Sequence, residues 1–148
     1  LKWNDLRISL DSEVVFDWDH LFSVEGNTGP YIQYSYARTQ NILAKADVSE
    51  KTGSFDPSIL THPSELSLLR QLVHFPEVVQ EAGTALSPHM ICQFAFELAQ
   101  NFSRFYEAVP VLSSGSAERT ARLGLVTAVG STLGISLRLL GINAPARL

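Results

Sequence analysis

The chain has 148 residues, 45% of them hydrophobic and 18% charged, which fits one domain with enough apolar material for a core and argues against disorder. Its formal net charge is −4 and its pI is near 5.5. That excludes a strongly basic nucleic-acid module, so any RNA contact has to come from a local patch and from stacking.

The chain starts at Leu1, and no basic stretch followed by an apolar run opens it; a fragment of a longer protein, with no signal peptide in view, is expected. Residues 1–25 read as a lead-in segment. Leu6, Ile8 and Leu10 alternate with Arg7 and Ser9, the pattern of a short strand or an extended stretch. Residues 17–22 read as a short acidic-aromatic helix. Gly26-Asn27-Thr28-Gly29-Pro30 is a turn with a helix start built in: Thr28 can cap, and Pro30 suits a first-turn position where an N–H would be orphaned.

From Pro30 to about Lys45 the chain predicts a helix. At about 100° per residue, Ile32, Tyr36 and Leu43 share one side and form a core stripe. Tyr31, Tyr34, Arg38 and Lys45 share another, with Asn41 at its edge.

Residues 46–62 read as a linker plus a helix start. Pro63 to His74 predicts a helix with Leu66, Leu69, Leu72 and Val73 on one face. Pro76 interrupts it, and Glu77 to Leu86 predicts a separate short helix carrying Val78, Val79 and Ala82. Ser87-Pro88 opens a longer helix to about Ala108. There Ile91, Ala95, Leu98, Phe102 and Phe105 repeat at alternating spacings of four and three. After a Pro/Ser/Gly loop at 110–117, the last helix is predicted from about Glu118 to Leu140, with Val126, Val129, Leu133, Leu137 and Leu140 as its seam. Gly141 suits the left-handed residue after a helix, and Pro145 follows. The expectation is an all-α helical bundle, residues 1–148 forming a single domain.

Catalytic patterns are sparse. Ser114-Gly115-Ser116 lacks the context of a nucleophile elbow, and no spacing supports a triad built on Asp17 and His20. His89 and Cys92 lie at i, i+3, but structural zinc takes about four ligands and no second pair is visible. Asp17 and Asp19 suit surface or helix-dipole roles. The Gly26–Gly29 turn lacks the lysine and hydroxyl of a phosphate loop. The single cysteine excludes an intramolecular disulfide and suits a reducing cytosol. In the last helix Gly130 and Gly134 form a GxxxG, but Arg122 and Arg138 close the apolar run short of the roughly 20 residues a bilayer needs. Close packing within a bundle is therefore the expected use of those glycines.

The stripe of Tyr31, Tyr34, Arg38 and Lys45 has two readings. In the structural one the tyrosines are half-buried and Arg38 pairs with an acid. In the functional one it is a platform for single-stranded RNA: unstacked bases lie on tyrosine rings and a guanidinium plane while Lys45 meets phosphate, worth roughly 1–3 kcal/mol per base.

A resemblance bears on this choice. Phe16-Asp17-Trp18-Asp19, followed by Glu25-Gly26-Asn27-Thr28-Gly29-Pro30-Tyr31-Ile32-Gln33-Tyr34 and on to Arg38, resembles the arginyl-tRNA synthetase family, with its G-[ND]-T-[GA]-P-Y-[LI]-Q-Y core. Leu69-Arg70-Gln71-Leu72, Phe75 to Val79, Ala121-Arg122-Leu123 and Leu139-Leu140-Gly141-Ile142 are similar to it as well. The resemblance spans about the whole chain and implies the C-terminal, DALR-type anticodon-binding helical bundle of a class I synthetase. It implies that Tyr31, Tyr34 and Arg38 lie at the anticodon loop of an arginine-accepting tRNA. It also implies that the chain's last residue, Leu148, reaches the same surface. That residue is usually a methionine after P-E-R in the family, whereas the end here reads Pro145-Ala146-Arg147-Leu148.

The HIGH-like and KMSK-like signatures that bind ATP and activate arginine are not in these residues. The resemblance therefore implies no catalytic residue, no metal and no cofactor here. It implies instead a longer cytoplasmic parent, an arginine–tRNA ligase that uses ATP with Mg in an N-terminal catalytic domain and needs bound tRNA for its first step. Neither membrane nor DNA is expected as a partner. Two rival readings are a helical protein–protein interaction module and the equivalent domain of a related class I synthetase of cysteinyl or glycyl type.

Overall fold

The computed structural model describes residues 1–9, 26–46 and 56–145, and all regular structure among them is helical. Helix α1 spans Lys2–Leu6, α2 Gly29–Ala44, α3 Pro63–Thr84, α4 His89–Ala108 and α5 Ser116–Leu139, with a 3-10 turn at Pro57–Ile59. The expected all-α bundle is thus the architecture found. The helix expected at 17–22 and the residues from Ala146 to Leu148 lie outside the described residues.

Cap chemistry sets the helix starts. The Thr28 side chain accepts from the Tyr31 N–H at 3.3 Å, and Pro30 sits in the first turn of α2, as expected. At α3 the imidazole of His62 accepts from the Ser64 N–H, and the Glu65 carboxylate reaches back to the His62 N–H at 2.9 Å, closing a capping box. After α5, Gly141 adopts φ +66°. Its N–H donates to the Arg138 carbonyl, and the Ile142 N–H donates to the Leu137 carbonyl at 2.8 Å, which is a Schellman stop.

Three sequence expectations need correction. The alternation that begins at Leu6 does not open on a strand: Leu6 ends a helix and residues 7–8 form a turn and a bend, while Leu10 lies outside the described residues. Residues 2–6 are helical because Trp3 turns inward: it is 4% exposed, and its indole N–H donates to Asn27 Oδ1 at 3.0 Å. Pro76 does not divide the next segment either; α3 runs through it. A proline inside a helix loses one hydrogen bond and costs roughly 3 kcal/mol. Packing of α3 helps to offset that cost: before the proline Phe75 meets Phe94 of α4 at 5.2 Å between ring centroids and Asn101 donates to Gln71 at 2.7 Å, and beyond it Ala82 is buried in the core. The buried face of α3 is only partly the one expected: Leu69 and Leu72 pack against the core, but its centre is shifted. Leu68 is fully buried while Val73 is 73% exposed, because the face toward the core is set by Glu65, Leu68, Leu72, Phe75 and Ala82.

The seams expected for α4 and α5 are buried throughout. The pairs 71–101 and 75–94 make α3 and α4 antiparallel. The GxxxG of α5 packs on α2: a Cβ on Gly130 would lie 2.5 Å from Thr39 Oγ1, and one on Gly134 3.1 Å from Tyr36 Cε2. By length and apolarity α5 could cross a bilayer, but 61% of its most apolar window is buried within the bundle, so it is the core helix.

Candidate nucleic-acid interface

Helix α2 lies between two partners, α4 on one flank and α5 on the other, and its outer residues divide accordingly. Toward α4, the Tyr31 ring packs edge-on against Phe96 with centroids 5.8 Å apart, so it is partly buried. One turn on, Tyr34 is 50% exposed. A further turn on, the Arg38 guanidinium lies over the ring of Tyr106, 4.1 Å from its centroid. Lys45 caps the C-terminal end of α2 and is exposed. Leu148 lies outside the described residues.

The four described stripe residues therefore have unequal settings. Tyr31 is a wedge between α2 and α4. Tyr34 presents a free aromatic face. Arg38 lies over the Tyr106 ring in a cation–π contact and is partly buried. Among the described residues no carboxylate lies within ion-pair distance of Arg38.

Tyr106 was missed in the sequence. It follows Phe105, the last residue of the α4 seam, and so stands about 100° off the buried stripe, 37% exposed. An aromatic beside a seam, not in it, was the available signal. Tyr106 also borders a groove of about 360 Å3 formed with Val109 to Ser113.

Other candidates lack site chemistry. Cys92 is fully buried, and burial pushes its thiol up to about 12, so it stays protonated and unreactive near neutrality. Among the described residues no group of three or more His, Cys, Asp and Glu side chains is placed to hold a metal ion. Arg122, one end of the apolar run in α5, is held by the buried Glu65 at 2.7 Å and by the Pro110 carbonyl at 2.8 Å. It serves the bundle.

Comparison with known proteins places this chain in a family. The arginine–tRNA ligase of Chloroflexus aurantiacus is 42% identical over 148 residues, covering 99% of this chain and 26% of that protein. That of Thermobifida fusca is 42% identical over 151 residues, covering 100% of this chain and 26% of that protein. The chain thus spans about a quarter of the length of the curated relatives it matches. The solved arginyl-tRNA synthetase of Thermus thermophilus superposes with a TM-score of 0.92 at 34% identity, over 99% of this chain and 26% of that one. The family model described as the DALR anticodon binding domain matches residues 32–148, most of the chain. By that match, the chain belongs to the DALR anticodon binding domain family.

Proposed function

We propose that this chain binds the anticodon loop of an arginine-accepting tRNA, as the anticodon-binding part of a longer arginine–tRNA ligase. The observation that carries the reading is the outer face of α2, where the half-exposed ring of Tyr34 is one turn from a guanidinium that lies over Tyr106 and has no acid paired to it among the described residues. Unstacked loop bases lie on such planes regardless of net charge, because stacking needs no large positive field. Lys45, exposed at the end of the same helix, meets backbone phosphate. Leu148 gives an apolar contact to the same loop. Tyr31, at the same surface, also packs on Phe96 and so fixes α2 against α4 on the side where Tyr34 and Arg38 lie.

The matched relatives and structures carry the arginine name, which favours arginine over a cysteinyl-type or glycyl-type parent. In that parent, arginine and ATP give arginyl-adenylate and pyrophosphate, and the arginyl group then passes to a ribose hydroxyl at the 3′ end of the tRNA with release of AMP. ATP and Mg belong to a catalytic portion that meets this domain in the cytoplasm. Bound tRNA is needed for the first step, and pyrophosphate exchange by the parent without tRNA would overturn that point.

The test is titration of this chain with an arginine-tRNA anticodon stem-loop at low and moderate salt, with Tyr34→Ala and Arg38→Ala beside it. Each variant is expected to lose about 1–3 kcal/mol of binding. Absence of wild-type binding at low salt overturns the reading and leaves a protein-interaction surface as the better one.

A further inference from the structure

The other flank of α2 carries a second concave surface. Between α2 and α5 lies an open groove of about 330 Å3, within the size range of small-ligand sites. Gly130 and Gly134 form its floor, where their lack of side chains lets α2 come close, and the Tyr36 ring lies against Gly134. Its rim is Gln40 on α2 and Ser131, Ile135 and Arg138 on α5. Ser131, Ile135 and Arg138 are all exposed.

Three features of this groove point to one kind of ligand. Among the described residues its lining holds a guanidinium and no carboxylate, although the chain as a whole is acidic. The larger groove between α3 and α4, about 600 Å3, is by contrast lined by Glu77 and Glu81 and would repel an anion. The Arg138 and Ser131 side chains have no hydrogen-bond or ion-pair partner among the described residues. Gln40 gives one N–H to Thr39 Oγ1 at 3.2 Å, which leaves its carbonyl oxygen and second N–H toward the groove. A cation, an aromatic ring and a bifunctional amide are the groups that hold one nucleotide by phosphate, base face and base edge.

We infer that the α2–α5 groove is a second nucleotide subsite. It takes an unstacked nucleotide of the RNA whose neighbours lie on Tyr34 and Arg38, with its phosphate on Arg138, its base against Tyr36 and Ile135, and the base edge at Gln40. This rests on the RNA reading above. The two subsites share α2, whose width with side chains is about 10–12 Å, so a splayed loop drapes across the helix and engages both flanks.

The experiment uses this chain, the same anticodon stem-loop and a series of salt concentrations, with Arg138→Ala, Arg138→Lys, Ser131→Glu and Tyr34→Ala. Both positions on α5 are exposed, and circular dichroism confirms the fold of each variant. Arg138→Ala is expected to weaken binding about tenfold and to lower the salt slope by about one, with Arg138→Lys restoring the slope. Ser131→Glu weakens binding by placing a carboxylate beside the phosphate. If Arg138→Ala and Ser131→Glu bind like wild type while Tyr34→Ala loses affinity, the groove is not a subsite and the α2–α4 surface stands alone. If the groove variants lose affinity and Tyr34→Ala does not, the groove stands and the proposed platform falls. A chain that binds no RNA at low salt overturns both.

Discussion

The Glu65 carboxylate, 1% exposed, joins two distant pieces of the chain: Arg122 donates to one oxygen at 2.7 Å, and the His62 N–H donates to the other at 2.9 Å. One side chain therefore closes the capping box of α3 and locks α5 against it. Removing one member of a buried pair strands the other's charge, a loss of roughly 3–5 kcal/mol. Arg122→Ala is expected to lower the unfolding free energy by about that much in urea titration. Arg122→Met, with Glu65→Leu in the same chain, is expected to recover most of it. Equal stability of Arg122→Ala and wild type would remove the pair from any structural role.

Glycines in the helices separate by what surrounds them. A Cβ on Gly83 meets nothing within 4 Å, whereas one on Gly130 would sit 2.5 Å from Thr39 Oγ1. Gly83→Ala is expected to stabilise by about 0.5–1 kcal/mol through the unfolded chain's lost freedom. Gly130→Ala is expected to destabilise by about 1–3 kcal/mol through overpacking. Thermal unfolding of the two variants should move in opposite directions.

Leu86 holds the left-handed position after α3, at φ +51°, and its side chain is 78% exposed. The Ser87 N–H donates to the Ala82 carbonyl at 2.9 Å, the bond of a Schellman stop that usually places glycine there. Left-handed backbone costs a residue with a Cβ roughly 1–2 kcal/mol, and little packing would be lost with this side chain. Leu86→Gly is therefore expected to raise stability by about 1 kcal/mol. A fall in melting temperature would show that the leucine makes a contact worth more than the strain.

Cys92 gives the protein an alkaline weakness. Burial raises its thiol from the ordinary value of 9.0 to about 12, so between those values the unfolded chain loses a proton that the folded chain keeps. Unfolding then becomes easier as pH rises, by on the order of 1 kcal/mol at one unit above 9; below 9 the contribution vanishes. Urea unfolding at pH 8 and pH 10 should show a larger drop for wild type than for Cys92→Ala. Thiol labelling should be slow in the folded protein and fast in urea.

How much of this was legible beforehand follows from the range of the interactions involved. The Thr28 cap, the Gly141 stop and the alternating seams of α4 and α5 are local, since each depends on residues within about one or two turns, and they appear in the fold as read from the chain. So does the all-α architecture, because periodic apolar stripes have to be buried against one another. The candidate surface was half legible. Periodicity put Tyr31, Tyr34, Arg38 and Lys45 on one stripe, but only packing separates Tyr31, wedged against Phe96, from Tyr34, which stays free. Three things were decided by tertiary contact alone. Helix α3 passes through Pro76 because burial against α4 outweighs a lost hydrogen bond. Its inward face runs through Leu68, not Val73, because Glu65 is tied to Arg122. Arg38 lies on Tyr106 because α2 and α4 run side by side, an arrangement between residues 68 positions apart that no local pattern encodes.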